Sequence, residues 1–298
     1  MASIELQGLT KRFGPLTAVD DLNLMFRPGT VTGFLGVNGA GKTTTLRMLL
    51  GLVTPTAGAA TFDGRRYAEL DEPARHVGAV LEASSFHPGR RAVDHLRVLA
   101  TAGGLPAEQA GQALERVGLA AAARRRVGGF SLGMRQRLAL AAALLGEPAV
   151  LVLDEPANGL DPEGVQWLRT FLRAEAEEGR TVIVSSHLLA EVSQTVDHVV
   201  IIDKGRLVAD APLGELTAEA TETVVVTSPE AATLLTVLGG IGVDAQLTGQ
   251  DEVTASTTPD VVGKAIALNG IVVHGMQARR SNLEDVFFNL TSTERSRS

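Results

Sequence analysis

A short apolar run, Thr30-Val31-Thr32-Gly33-Phe34-Leu35, leads without a break into GVNGAGKTTTLRMLLGL. The run reads as a buried strand and Lys42 to Leu50 as a helix. Between them Gly36, Gly41, Lys42 and Thr43 fit G-x-x-x-x-G-K-[ST], with an extra Gly39. Glycines let backbone N–H groups turn inward around a phosphate without Cβ clashes. The helix that follows presents the positive end of its dipole to the same anion. Lys42 supplies a point charge for β and γ phosphates, and the Thr43 hydroxyl can ligate Mg²⁺. Asn38, Gly39, Ala40 and Thr44 complete the expected nucleotide cradle. The segment therefore demands a strand, a tight loop and a helix in that order.

Strand and helix patterns keep alternating further along the chain. Val150-Leu151-Val152-Leu153, Thr181 to Ser186 and Val199-Val200-Ile201-Ile202 are continuous apolar runs. Continuous runs mark strands covered on both faces, as in parallel sheets. Helical patterns such as Glu163 to Glu178 lie between them. An α/β fold around a mostly parallel sheet follows. Ala92 to Arg126 is rich in Ala, Leu, Glu and Arg, and reads as part of a helical insert spanning about residues 83 to 140.

Two acids, Asp154 and Glu155, end the run at Leu153. A carboxylate at a strand tip suits the water shell of a Mg–nucleotide, and Asp154 is placed for it. Hydrolysis also needs a group that orients water and accepts its proton, for which Glu155 is the candidate. His187 ends the following strand. In an open parallel sheet ligands sit beyond the carboxyl ends of the strands, so Lys42, Glu155 and His187 are expected to converge on one γ-phosphate.

Near Leu216 the texture changes. Strands are expected at Thr223 to Val226, Ala245 to Leu247, Glu252 to Ala255 and Ile271 to Val273. Helices are expected at Pro229 to Leu238, Asp260 to Leu268 and Ser281 to Leu290. The order β-α-β-β-α-β resembles a small ferredoxin-like α+β sandwich. The expected division is residues 1 to 216 and 217 to 298.

Composition narrows the classes. A net charge of −7 and 4% aromatics argue against nucleic acid as a partner. The absence of cysteine excludes disulfides and thiolate metal sites. No apolar run has the length of a membrane span, and MASIELQGLTKRFG lacks a signal-peptide core, so a cytosolic chain is expected.

These residues resemble the ATP-binding subunit of ABC transporters over about residues 3 to 215. The resemblance implies a P-loop NTPase fold, with Gly36 to Thr43 as Walker A and Val150 to Glu155 as Walker B. Glu155 takes the catalytic position, Asn158 to Asp161 the D-loop, and His187 the switch histidine. Phe13 falls where the family stacks an aromatic on adenine. FSLGM, from Phe130 to Met134, stands at the signature, which implies that Ser131 and Gly133 meet the γ-phosphate of an opposite subunit. Leu132 and Met134 depart from the family pattern. Glu82 stands where a glutamine is usual and could reach Mg²⁺ or its water as an anion. Glu82, the signature and LEDVFF at residues 283 to 288 are similar to the bacitracin- and daunorubicin-type drug-resistance exporters.

The resemblance implies ATP and Mg²⁺ as cofactors, a dimer with a second copy, and a separate ABC-2-type membrane permease. The chain would act at the cytoplasmic face of the membrane, powering export of a drug, antibiotic or other hydrophobic compound. The alternative is a non-transport ABC ATPase associated with ribosomes or DNA. Its relatives carry two cassettes or long coiled coils, and neither is found here.

Overall fold

The structure is a computed structural model and describes residues 3–81, 86–187, 194–218 and 222–280. The chain forms two compact units, Met1–Leu213 and Gly214–Ser298.

The first unit is built on two sheets. A three-stranded antiparallel sheet has the order β2-β1-β4, with β1 Ile4–Phe13, β2 Leu16–Phe26 and β4 Ala57–Phe62. The second sheet has six strands in the order β5-β6-β7-β3-β8-β9. Its members are β3 Val31–Leu35, β5 Val77–Val80, β6 Val150–Leu153, β7 Thr181–Ser186, β8 His198–Asp203 and β9 Arg206–Pro212. All pairings are parallel except that of β9. Strands β3, β6, β7 and β8 are buried along their whole length, in keeping with their apolar centres.

The two sheets and helix α1 (Lys42–Leu49) close over one core. Leu22, Leu24 and Phe26 alternate with exposed neighbours on β2 and meet Phe34 of β3, the two phenylalanine rings standing edge to face at 6.1 Å. Such burial stabilises each large side chain by about 2 kcal/mol. The expected insert contains α2 (Ala92–Ala102), α3 (Gln109–Arg116) and α4 (Leu132–Ala143). Helix α5 (Pro162–Glu177) starts with Asp161 as N-cap, its carboxylate accepting from Gly164 N–H at 2.8 Å.

The insert is fastened to the rest by charge. Glu175 on α5 is 2% exposed and accepts from Arg116 Nε of α3 at 2.8 Å. Arg180, leading into β7, reaches the other Glu175 oxygen at 2.9 Å. Glu178 joins both arginines, whose hydrogen bonds hold its carboxyl below the usual range.

Helix α6 (Leu213–Ala218) lies at the division between the units. The second unit has four antiparallel strands in the order β11-β12-β10-β13. They are β10 Glu222–Thr227, β11 Ala245–Gly249, β12 Glu252–Ser256 and β13 Gly275–Arg280. Helices α7 (Ala231–Gly240) and α8 (Pro259–Asn269) bring Leu234, Leu238 and Val262 onto Val224, Val226 and Val253. The order is β-α-β-β-α-β, but the last strand is not the expected Ile271 to Val273. Helix α8 ends at Gly270 and Ile271 drops into the core. Val272 then spends its backbone groups on side chains. Its carbonyl accepts from Ser228 Oγ at 2.6 Å, and its N–H donates to Glu230 Oε2 at 2.8 Å. The ladder begins only where Gly275 meets Thr227. The helix expected at Ser281 to Leu290, with the LEDVFF run inside it, lies outside the described residues.

Glu175→Ala is expected to destabilise the first unit by about 3 kcal/mol, because two arginines lose a buried counter-charge. Urea unfolding measures this; a change below about 1 kcal/mol would mean that the pair is replaceable by water.

Candidate functional site

Strands β6, β7 and β3 are neighbours, and their carboxyl ends carry the chemistry. Beyond β3 the chain wraps through Gly36 to Gly41 and enters α1. Gly41 is the N-cap, with φ 106°. A Cβ there would stand 2.5 Å from the Ala18 carbonyl oxygen of β2, so only glycine lets the loop lie this close. Ala40 is buried, and its N–H donates to the Val37 carbonyl at 3.1 Å. Asn38 and Gly39 stay exposed at the loop's rim, and Thr44 is half-buried on the first turn of α1.

Lys42 is buried and donates through Nζ to the Gly36 carbonyl at 2.7 Å. The same ammonium lies 3.3 Å from Glu155 Oε1. The other Glu155 oxygen is 2.8 Å from His187 Nδ1. Lys42 and His187 therefore share one carboxylate across three strand ends. Glu155 has φ 48°, a left-handed conformation costly for a residue with a Cβ. The adjacent acids nevertheless take different partners. Asp154 accepts from Thr43 Oγ1 at 2.8 Å and from Ser185 Oγ at 2.5 Å. Ser185 Oγ in turn accepts from Glu155 N–H at 2.9 Å.

The sequence shows Ser185 only as part of a strand. Its signal is register: Leu153 of β6 pairs with Val184 of β7, which sets Ser185 beside Asp154. Thr43 and Asp154 offer the hard oxygen donors that Mg²⁺ prefers, one hydroxyl and one carboxylate already in contact. Glu82 lies outside the described residues.

Phe13 stands at the end of β1, half exposed, with Lys11 Nζ 5.0 Å from its ring centroid. Strand β2, which pairs Leu16 with Phe13, goes on to pass Gly41. Ser131 and Gly133 belong to a different place. They line a pocket of about 290 Å³ with Leu160, Asp161 and Trp167. Ser131 is the N-cap of α4, its hydroxyl accepting from Met134 N–H at 3.3 Å. That helix start offers backbone donors to an anion.

A third surface lies where α1 ends. Leu50, Leu52, Val53, Tyr67 and Leu81 line an open groove of about 610 Å³. Leu52 is 65% exposed there. Burial raises the Tyr67 phenol above its ordinary pKa. Further along the chain, a backbone bridge joins Arg91 to Arg126 and gathers Arg91, Arg124, Arg125 and Arg126 on an exposed patch.

The family model "ABC transporter" matches residues 19–158. Bacitracin transport ATP-binding protein BcrA of Bacillus licheniformis is 43% identical over 216 residues, covering 72% of this chain and 71% of that protein. The ABC transporter ATP-binding protein YhcH of Bacillus subtilis is 34% identical over 291 residues, 97% of this chain and 95% of its own. A solved ATP-binding subunit of an ABC transporter superposes with a TM-score of 0.65 at 28% identity, covering 72% of this chain and 92% of the other. Among the described residues no helix is long and apolar enough to cross a membrane. An ATP-binding subunit of a transporter works with a membrane permease carried on a separate chain. Fold, site geometry and relatives agree: the chain belongs to the ABC transporter family and is one of its ATP-binding, ATP-hydrolysing subunits.

Proposed function

We propose that the chain works as a pair of identical copies at the cytoplasmic face of a membrane, powering an ABC-2-type permease that exports a drug, antibiotic or other hydrophobic compound. The observation that carries the catalytic half is Glu155 held between Lys42 Nζ and His187 Nδ1. When ATP arrives, Lys42 exchanges the Glu155 carboxylate for the β and γ phosphates. Glu155 is then released to orient water and accept its proton. His187 steadies the transferred γ-phosphate. Thr43 and Asp154 would hold Mg²⁺, which neutralises phosphate charge. Glu82 is proposed as a further anionic neighbour of that ion. Phe13 offers its exposed face to adenine.

Ser131 and Gly133 lie in a pocket apart from the Lys42–Glu155–His187 cluster, which supports a role toward a nucleotide on the second copy. A two-fold pair uses each patch twice, once in each direction. The groove at Leu52, lined by apolar side chains and Arg47, favours a permease segment with an apolar face. An antibiotic cargo rests on BcrA, a bacitracin transport ATP-binding protein, and export on the 33% identical Nod factor export ATP-binding protein I of Cupriavidus metallidurans. The compact units support an ATP-binding domain at 1–216 and an accessory domain at 217–298.

Glu155→Gln is expected to bind ATP, lose at least about a hundredfold in turnover, and accumulate as an ATP-dependent dimer. Gel filtration with and without ATP, beside a phosphate-release assay, checks it; near-normal turnover would remove Glu155 from the water-activating role. Phe13→Ala is expected to weaken ATP binding about tenfold through lost stacking, read by titration with a fluorescent ATP analogue. Equal affinity would place adenine elsewhere. Leu52→Asp is expected to abolish co-purification with the permease while ATP binding persists. Retained co-purification would move the docking surface off this groove.

A further inference from the structure

Leu132 stands one residue inside α4, after the Ser131 N-cap. One side of its isobutyl group is exposed; the other covers Gly159. A Cβ built on Gly159 would lie 2.7 Å from Leu132 Cδ2. Gly159 has φ 73°, and its bare face leaves the space that Leu132 fills. The neighbouring contact is reversed. Leu160 Cδ2 lies 3.9 Å from the Cβ position of Gly133, an ordinary packing distance. Each segment thus gives one leucine to the other's glycine. Farther along, the Arg137 guanidinium of α4 lies 4.2 Å over the Trp167 ring of α5. Trp167 stacks on Phe171 at 5.2 Å. The start of α4 is therefore fastened to the loop before α5, and α4 to α5 itself through Arg137 and Trp167.

The same segment is tied to the catalytic carboxylate. Asn158 N–H donates to the Glu155 carbonyl at 3.2 Å, and Leu160 N–H to the Ala157 carbonyl at 3.1 Å. Only these tight turns separate Glu155 from Gly159. The route is continuous and short: Glu155, Asn158, Gly159, Leu132, Ser131. A glycine at position 132 would remove the contact with Gly159 and leave Asn158 to Leu160 free to shift without α4.

We propose that Leu132 is a positioning residue that couples the two ATP sites of the dimer through its contact with Gly159. Glu155 serves the nucleotide held by its own Lys42. Ser131 and Gly133 serve the nucleotide of the second copy. A backbone shift at Glu155 moves Gly159, and Leu132 transmits that shift to the donors at the start of α4. The inference rests on the sandwich-dimer reading given above. It predicts that Leu132 sets the cooperativity of ATP hydrolysis.

Steady-state hydrolysis against ATP concentration, in the full chain, tests it. The variants are Leu132→Ala, Leu132→Met, Gly159→Ala and the pair Leu132→Ala with Gly159→Ala. Leu132→Ala should lower kcat about tenfold and flatten the Hill plot, with binding of a fluorescent ATP analogue unchanged. Leu132→Met, which can refill the space, should restore both. In the double-mutant cycle the losses should be clearly less than additive, because Leu132→Ala removes the atoms that a Gly159 methyl meets. Wild-type kcat and Hill coefficient in Leu132→Ala, or additive losses in the cycle, would overturn the coupling. Loss of ATP binding together with turnover would also overturn it, by showing a general folding role. The sandwich reading has its own check. If Glu155→Gln with intact Leu132 fails to dimerise in ATP, that reading fails first and takes the coupling with it. Dimerisation alongside unaltered Leu132→Ala kinetics sinks the coupling alone.

Discussion

Asp154 accepts hydrogen bonds from two directions, from Thr43 on the helix after β3 and from Ser185 at the end of β7. Those two bonds tie together the ends of three adjacent strands, and every other part of the site takes its place from them. The same Ser185 oxygen accepts from the Glu155 N–H. That bond stabilises the left-handed turn which Glu155 would otherwise avoid. The two acids have different partners. Asp154 faces the hydroxyls, and Glu155 faces Lys42 and His187.

The chemistry of this arrangement follows from where the charges are balanced. Lys42 is buried, and a buried ammonium without a partner is costly. The Gly36 carbonyl and Glu155 meet that need. A triphosphate can replace Glu155 because it brings more negative charge at the same ammonium. In the proposed mechanism that exchange would leave Glu155 with His187 alone, with one carboxylate oxygen free to take a proton from water. In the mechanism proposed above, binding the nucleotide and arming the base are one event, produced by competition for a single ammonium.

The parts of this molecule readable in its sequence are those where one residue type has one physical explanation. Buried parallel strands need continuous apolar runs, so β3, β6, β7 and β8 were legible. The glycines and Lys42 were legible because few other uses require that spacing. The antiparallel sheet was not, since β1 carries register shifts after Leu6 and Leu9 that break its alternation. Strand β5 was hidden by its small residues, Gly78 and Ala79. The run Ile271 to Val273 misled in the opposite way. It has strand composition, yet Ser228 and Glu230 capture the backbone of Val272 before a ladder can form. Ser185 was invisible as a site residue because its role comes from the register between two distant strands.

Leu132 shows the same limit from the functional side. In the sequence it was a departure from a family pattern, flanked by the two residues the pattern needs. The structure gives it a partner on a distant turn, and that partner is a glycine with a left-handed backbone. Neither residue explains itself alone. A leucine beside an anion-facing helix start is a poor contact for phosphate, and a bare glycine in a turn is commonplace. Together they close a gap between the strand end that carries Glu155 and the helix that starts at Ser131. The leucine is accommodated because it packs along its own subunit, into space that Gly159 leaves open. The contact fixes the distance between two segments that, in the proposed dimer, act on different nucleotides.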